Sequence, residues 1–296
     1  MSKQVAFEIL DVFTNKPFRG NQLAVFPEPR KLTKNRMQRI AREINFSETT
    51  FIFPAKDKEA DAHVRIFTPS DEIPFAGHPT IGTAFVIASK AGGRKKGPPR
   101  IVLQLGIGLV PVDISYTGKK IKSLTMHQPV PRFGSALQNR GQAARALGIR
   151  IVDVLGGGVV SSGMDFLVVE AISSEAVAGA TLNLDEVERI IKRHNVSGLS
   201  LFARLNDTGT SIHTRFFAPT LDVIEDPATG SAAGALGGYL ARILKFPRKL
   251  KLRIKQGEEM GRPSSIGVEI QCDRGMIQGV AVSGGAVRVG EGTIYL

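Results

Sequence analysis

The chain has 296 residues, with 39 Lys and Arg against 27 Asp and Glu, 32 glycines and one cysteine. That length admits two ordinary domains or one large one, and 42% hydrophobic with 22% charged residues excludes collagen-like and disordered classes. The lone Cys272 excludes an intrachain disulfide, a cysteine-cluster zinc site and chemistry that needs two thiols of one chain, and it points to a reducing cytoplasm.

Nothing near the start reads as an export signal, and no apolar run approaches the ~18 residues of a membrane span, so no membrane contact is expected. In chain order, strands are predicted over 5–13 and 22–27. An amphipathic helix follows, with Met37, Ile40, Ala41 and Ile44 on one face and Thr33 as its N-cap. A second helix over 79–90 is small and apolar nearly all round, which marks a buried helix. The basic stretch 90–100 reads as a turn. Strands are predicted at 100–105, 109–116 and 121–127, after which His127-Gln128-Pro129-Val130-Pro131 is too rich in proline for a strand and reads as a linker.

The glycine-rich stretch 155–163 lacks the spacing of a dinucleotide loop. A further small-residue helix is predicted at 232–245, then strands at 249–255, 266–271, 277–282, 286–289 and 293–296. In the first of these, Lys249, Lys251, Arg253 and Lys255 share one face, as expected of a solvated strand guarding a sheet edge. No nucleic-acid motif accompanies the basic charge, so a nucleic-acid partner is not expected. A noncatalytic polyanion-binding protein is the reading of another class, which the salt dependence of nucleic-acid binding would reveal.

A shift of 150 positions aligns two stretches without a gap. Arg39, Ile40, Asn45, Ser47, Asp57, His63, Arg65, Phe67 and Pro69 recur as Arg189, Ile190, Asn195, Ser197, Asp207, His213, Arg215, Phe217 and Pro219. Beyond the proline the second copy carries a three-residue insertion, after which Gly77-His78 stands opposite Gly230-Ser231. Each half therefore has one order: amphipathic helix, strand, strand ending in proline, glycine-led turn, small-residue helix. The expected fold is α+β, in two similar lobes.

Metal and nucleotide sites are not supported. The five histidines include no i,i+4 pair, and neither a phosphate-binding GxxxxGK loop nor a GxSxG elbow occurs. Acid–base chemistry by side chains remains. Glu48 faces Gly198 in the repeat, so it is a position where the copies differ, and its apolar surroundings favour a general base; a solvent-facing or capping acid is the alternative. Gly77 and Gly230 each open a helix, where free N–H groups attract a carboxylate, or they simply permit close packing. Asp226 falls in the insertion, where a cap or turn role is the plain reading. The repeated His63 and His213 read as structural.

These residues carry a resemblance. The stretches DVFTNKPFRGNQLAVF, MQRIAREINFSETTFIF, VRIFTPSDEIPFAGHPTIGTA, EDPATGSAAG, QGEEMGRPS and GEGTIYL, in this order, resemble the phenazine-biosynthesis isomerase (PhzF) family from about residue 5 to the end. The resemblance implies the diaminopimelate-epimerase-like fold: two lobes related by a pseudo-twofold axis, each a strand barrel round a central helix, with the active site in the cleft between. The expected division is an N-terminal lobe over 1–126, to which a last strand at 284–296 returns, and a C-terminal lobe over 127–283. It implies a cofactor-free, metal-free homodimer that moves a proton on a small carboxylate-bearing substrate, as in the isomerisation of trans-2,3-dihydro-3-hydroxyanthranilate. It gives Glu48 as general base, His78 and Asp226 as its catalytic neighbours, and Gly77, Gly230 and Ser231 as substrate-binding residues. A one-base racemase or epimerase of an amino or hydroxy acid is the enzymatic alternative. The two-thiol racemase of related families is excluded, because the two glycine turns carry His78 and Ser231 instead of cysteines.

Overall fold

A computed structural model describes residues 4–29, 32–92 and 97–296; residues 93–96, the centre of the stretch read as a basic turn, lie outside them. The chain divides into two compact units, residues 1–127 with 283–296 and residues 128–282.

The first unit contains β1 (Gln4–Val12), β2 (Asn21–Phe26), α1 (Lys34–Ile44), β3 (Glu48–Phe53), β4 (Ala62–Phe67), β5 (Glu72–Ile73), α2 (Gly77–Gly92), β6 (Arg100–Leu105), β7 (Gly108–Thr117) and β8 (Lys120–Gln128). The second contains β9 (Arg132–Ala136), α3 (Arg140–Leu147), β10 (Val154–Ser161), β11 (Asp165–Ala171), α4 (Ser174–Ala178), α5 (Leu184–His194), β12 (Gly198–Arg204), β13 (Ser211–Ala218), β14 (Val223–Asp226), α6 (Gly230–Ile243), β15 (Lys249–Gln256), β16 (Ser264–Asp273) and β17 (Met276–Gly284). The last strand, β18 (Ala286–Tyr295), returns to the first unit and pairs antiparallel with β1 from end to end. Its two predicted pieces are one strand, and a register shift at Ile9/Leu10 absorbs the irregularity.

In the first unit α2 packs against β1, β2, β3, β6, β7 and β18, so the strands run round it. A Cβ at Gly82 would stand 2.5 Å from Leu23 Cδ2 and 3.0 Å from Val12 Cγ2, so only glycine lets this helix approach so closely. Outside, the amphipathic face of α1 (Met37, Ile40, Ala41) closes a second core with Phe26, Phe51 and Phe67. Thr33 caps α1 as expected by accepting from the Arg36 N–H, and Asn45 ends it at φ 56°. The repeat-related Asn183 and Asn195 do the same for α5.

The duplication survives as register. In β3 and β4, Thr49 faces Phe67 and Phe53 faces His63; in β12 and β13, Leu199 faces Phe217 and Ala203 faces His213. Parallel pairs β2–β3 and β4–β6 recur as β11–β12 and β13–β15. In the second unit α6 packs against β10, β11, β15 and β16.

Two expectations need correction. β15 is not a plain edge strand: it pairs with β16 over its whole length and with β13 at Arg253–Lys255. Part of its basic face is neutralised across the sheet, where Glu269 lies 2.8 Å from Lys249 and 3.7 Å from Lys251. The elements between 132 and 178 had no counterpart in the sequence reading. There glycine replaces alternating side chains: the missing Cβ of Gly157 makes room for the Val168 carbonyl in β10–β11.

Candidate active site

In the first unit the sequence folds so that three strand or helix beginnings meet. Glu48 is the first residue of β3, directly after the left-handed Asn45 stop of α1, and Leu23 of the parallel β2 is its register partner. His78 is the second residue of α2 and is 3% exposed. Its Nε2 stands 3.4 Å from Glu48 Oε2, and its Nδ1 lies 3.1 Å from the Asn21 side-chain amide nitrogen. Burial pushes the His78 pKa down to about 3, against a smaller opposing effect of the Gln22 backbone. His78 is therefore neutral at ordinary pH, with its Nε2 edge turned toward the Glu48 carboxylate. Gly77 opens the same helix and is buried.

The second unit forms a separate polar cluster at the corresponding helix start. Asp226 is 6% exposed and accepts from Thr229 Oγ1 at 2.5 Å. Gln256, the last residue of β15, ties the turn together. Its Nε2 donates to the Asp226 carbonyl at 2.7 Å, and its Oε1 accepts from the Thr229 N–H at 3.1 Å. The Ser264 hydroxyl donates to the Pro227 carbonyl at 2.8 Å. Gly230 begins α6, with its carbonyl accepting from Gln128 Nε2 at 2.9 Å, and Ser231 is buried in the first turn.

The placement of Asp226 differs from the expectation. The three extra residues fall after Pro219, where the tight turn Pro219–Leu221 is closed by Asp222 at φ 60°, while Asp226 lies on β14 opposite Phe216. Its counterpart in the first unit is Ile73, opposite Ile66. Asp226 is thus an acid substituted at a strand position, as Glu48 is substituted for Gly198. At Gly198 no side chain fits, because Phe216 and the Phe217 carbonyl fill the space.

Asn21, Thr229 and Gln256 escaped the sequence reading. Asn21 lies inside a stretch that carried the family resemblance, but Gln256 closes a strand whose lysines drew the eye, and only register brings it to the 226–230 turn.

The repeated histidines share register but not surroundings. His63 is partly exposed, with Phe53 6.1 Å away between ring centres. His213 is buried, with Ser174 Oγ 2.8 Å from Nδ1 and Glu259 Oε1 2.9 Å from Nε2. That contact holds the 257–263 connection, and Gln256 and Ser264 on either side of it bond to the Asp226 turn.

A family model described as phenazine biosynthesis-like protein matches residues 10–292. The trans-2,3-dihydro-3-hydroxyanthranilate isomerase of Pseudomonas aeruginosa is 33% identical, over 98% of this chain and 99% of its own. Among solved structures, a PhzF-family protein of Bacillus anthracis superposes with a TM-score of 0.88 at 24% identity, covering 99% of this chain and all of that one. A hydroxyproline epimerase of Agrobacterium vitis shares the fold, with a TM-score of 0.70 at 12% identity over 99% of this chain and 93% of its own.

Proposed function

Because the chain belongs to the phenazine biosynthesis-like protein family and is an isomerase, we propose that it works without a cofactor, shifting a proton within a small cyclic carboxylate such as trans-2,3-dihydro-3-hydroxyanthranilate. The observation that carries this reading is the pairing of Glu48 with a buried, neutral histidine 3.4 Å away. Glu48 takes the proton from C3 and returns it at C1, so one carboxylate serves as base and then as acid. Neutral His78 cannot supply a positive charge. It offers a neutral, buried ring edge beside Glu48, held in place by Asn21, and steadies either the carboxylate or a substrate group.

In the second unit the free N–H groups at Gly230 and Ser231 suit a substrate carboxylate, and the Asp226 side chain suits an amine. The N-terminus of α2 at Gly77 offers the same kind of anion contact. The reading requires both clusters to serve one substrate molecule. It also takes the protein as a cytoplasmic homodimer; among the described residues no helix is long and apolar enough to cross a membrane. Cys272 lies buried on β16 with its thiol pKa pushed up by burial, which suits packing and not proton transfer.

The test is Glu48→Gln, which keeps shape and hydrogen bonding but cannot carry the proton. Turnover of trans-2,3-dihydro-3-hydroxyanthranilate should fall by roughly 10²–10⁴-fold while affinity for 3-hydroxyanthranilate is retained. Full turnover by this variant would sink the mechanism. Running the reaction in deuterium oxide separates it from a racemase: a proton shift gives a product in which any solvent label lies at C1, in the fraction of turnovers where the Glu48 proton exchanges, whereas a racemase labels the substrate's own stereocentre.

A further inference from the structure

The first unit holds a second concave surface, built by none of the residues assigned to proton transfer. It is a groove of about 690 Å³ at the C-terminal end of α2, walled by the β7–β8 hairpin and by the start of β18. Lys119, Lys120, Lys122 and Arg288 line it, and among the described residues no Asp or Glu does. Phe85, Tyr116 and Ile121 add apolar surface, and Ser89 and Thr117 add hydroxyls.

The charges are not balanced from within. Elsewhere in this unit several cations have carboxylate partners, as Arg65 and Lys34 share Glu72 and Arg100 has Asp113. Arg288 is fixed by Glu8 at 2.7 Å, and Lys90, the cation expected near a helix C-terminus, sits 3.6 Å from the same carboxylate. Lys119, Lys120 and Lys122 make no ion pair in the described structure. Three like charges within four residues of one hairpin repel one another, and nothing in the chain's own packing requires them there. A cleft lined by one sign of charge focuses potential and concentrates a counter-charged ligand.

We propose that this groove is a binding site for a small phosphorylated metabolite carrying a flat ring, separate from the isomerase centre. The volume falls in the ~300–1,000 Å³ range of small-molecule sites and accommodates a nucleotide. The three lysine ammoniums, point charges on flexible stems, meet phosphate oxygens, while the positioned Arg288 guanidinium offers its remaining N–H donors. The ring lies against Tyr116 and Phe85. The isomerase substrate proposed above has one carboxylate and would leave most of these charges unanswered.

The experiment is calorimetric titration of the full chain with ADP, inorganic pyrophosphate and adenosine at low and raised salt. ADP should bind saturably, pyrophosphate roughly tenfold more weakly and adenosine not measurably. The ADP affinity should fall at least tenfold in Lys120→Gln/Lys122→Gln and fall again with salt. Glu48→Gln should bind ADP as the wild type does, which separates this site from the isomerase reading and keeps the two independently refutable. Circular dichroism of the double variant verifies that it is folded. No saturable binding of ADP or pyrophosphate, or binding unaltered in the folded double variant, overturns the site. Equal affinity for ADP and pyrophosphate overturns the role of the ring.

Discussion

His78 is the side chain whose burial has the clearest consequence outside catalysis. Its pKa falls from 6.5 to about 3 in the folded protein, so the unfolded chain binds a proton below pH 6.5 that the native state refuses. Stability is fully present above that pH and is lost as pH falls from 6.5 toward 3, by about 2 kcal/mol between pH 6.5 and 5 for one group. Urea unfolding at pH 7 and pH 5 measures this. His78→Asn should flatten the difference, and an unchanged pH dependence in that variant would contradict the neutral, buried histidine. Gly198 makes the opposite point. It marks the repeat-related place where no base is proposed, and Gly198→Ala looks at first like a silent control. Phe216 leaves no room there, so the expected outcome is a loss of roughly 1–3 kcal/mol of stability from overpacking, read as a lower Tm.

Among the elements, β4 and β13 show how one motif acquires two energies. Arg65 makes a two-pronged pair with Glu72 and lies 5.2 Å from the centre of the Phe67 ring; Arg215 repeats both features with Glu225 and Phe217 at the same distance. Arg215, however, is 8% exposed and also donates to the carbonyls of Val177, Ala178 and Ala180. Removing it leaves the Glu225 carboxylate without its two-pronged donor and takes one donor from each of three carbonyls. Arg215→Met should therefore cost about 3–5 kcal/mol, against about 1 kcal/mol for Arg65→Met at its wetter site, as compared by urea midpoints. Sequence made this duplication visible because identical residues recur at a fixed shift, and the helices α1, α2 and α6 followed from periodicity and small-residue content. Glu48 and His78 were legible through motif. What escaped depends on tertiary register: Gln256 reaching the 226–230 turn, Asp226 sitting on β14 at the place of Ile73, and the strand β10, where glycines at 156, 157 and 158 erase the alternation by which a strand is recognised.

At the scale of the whole molecule, the residues named in the proposed reaction are divided between the two units. Glu48 and His78 belong to the first and Asp226 and Ser231 to the second. If one substrate engages both, Glu48→Cys with Asp226→Cys should be joined by a short bis-maleimide in a Cys272→Ser background, and 3-hydroxyanthranilate should slow the reaction. Failure to crosslink in the folded protein would separate the two clusters and end the shared-substrate reading. Light scattering tests the homodimer, and a monomer mass across micromolar concentrations would refute it.

The pairing of β18 with β1 also bears on how the chain is made. The second unit is one continuous stretch, but the first is completed only by residues 283–296. On the ribosome the earlier-made half must wait with one edge of β1 uncovered until β18 has been made, while residues 128–282 precede that strand in the chain. Biogenesis therefore runs against the order of translation. A stop codon after residue 284, which removes β18 and nothing from the second unit, should leave that unit protease-resistant and the first unit degraded, although the first unit's other elements are made earlier.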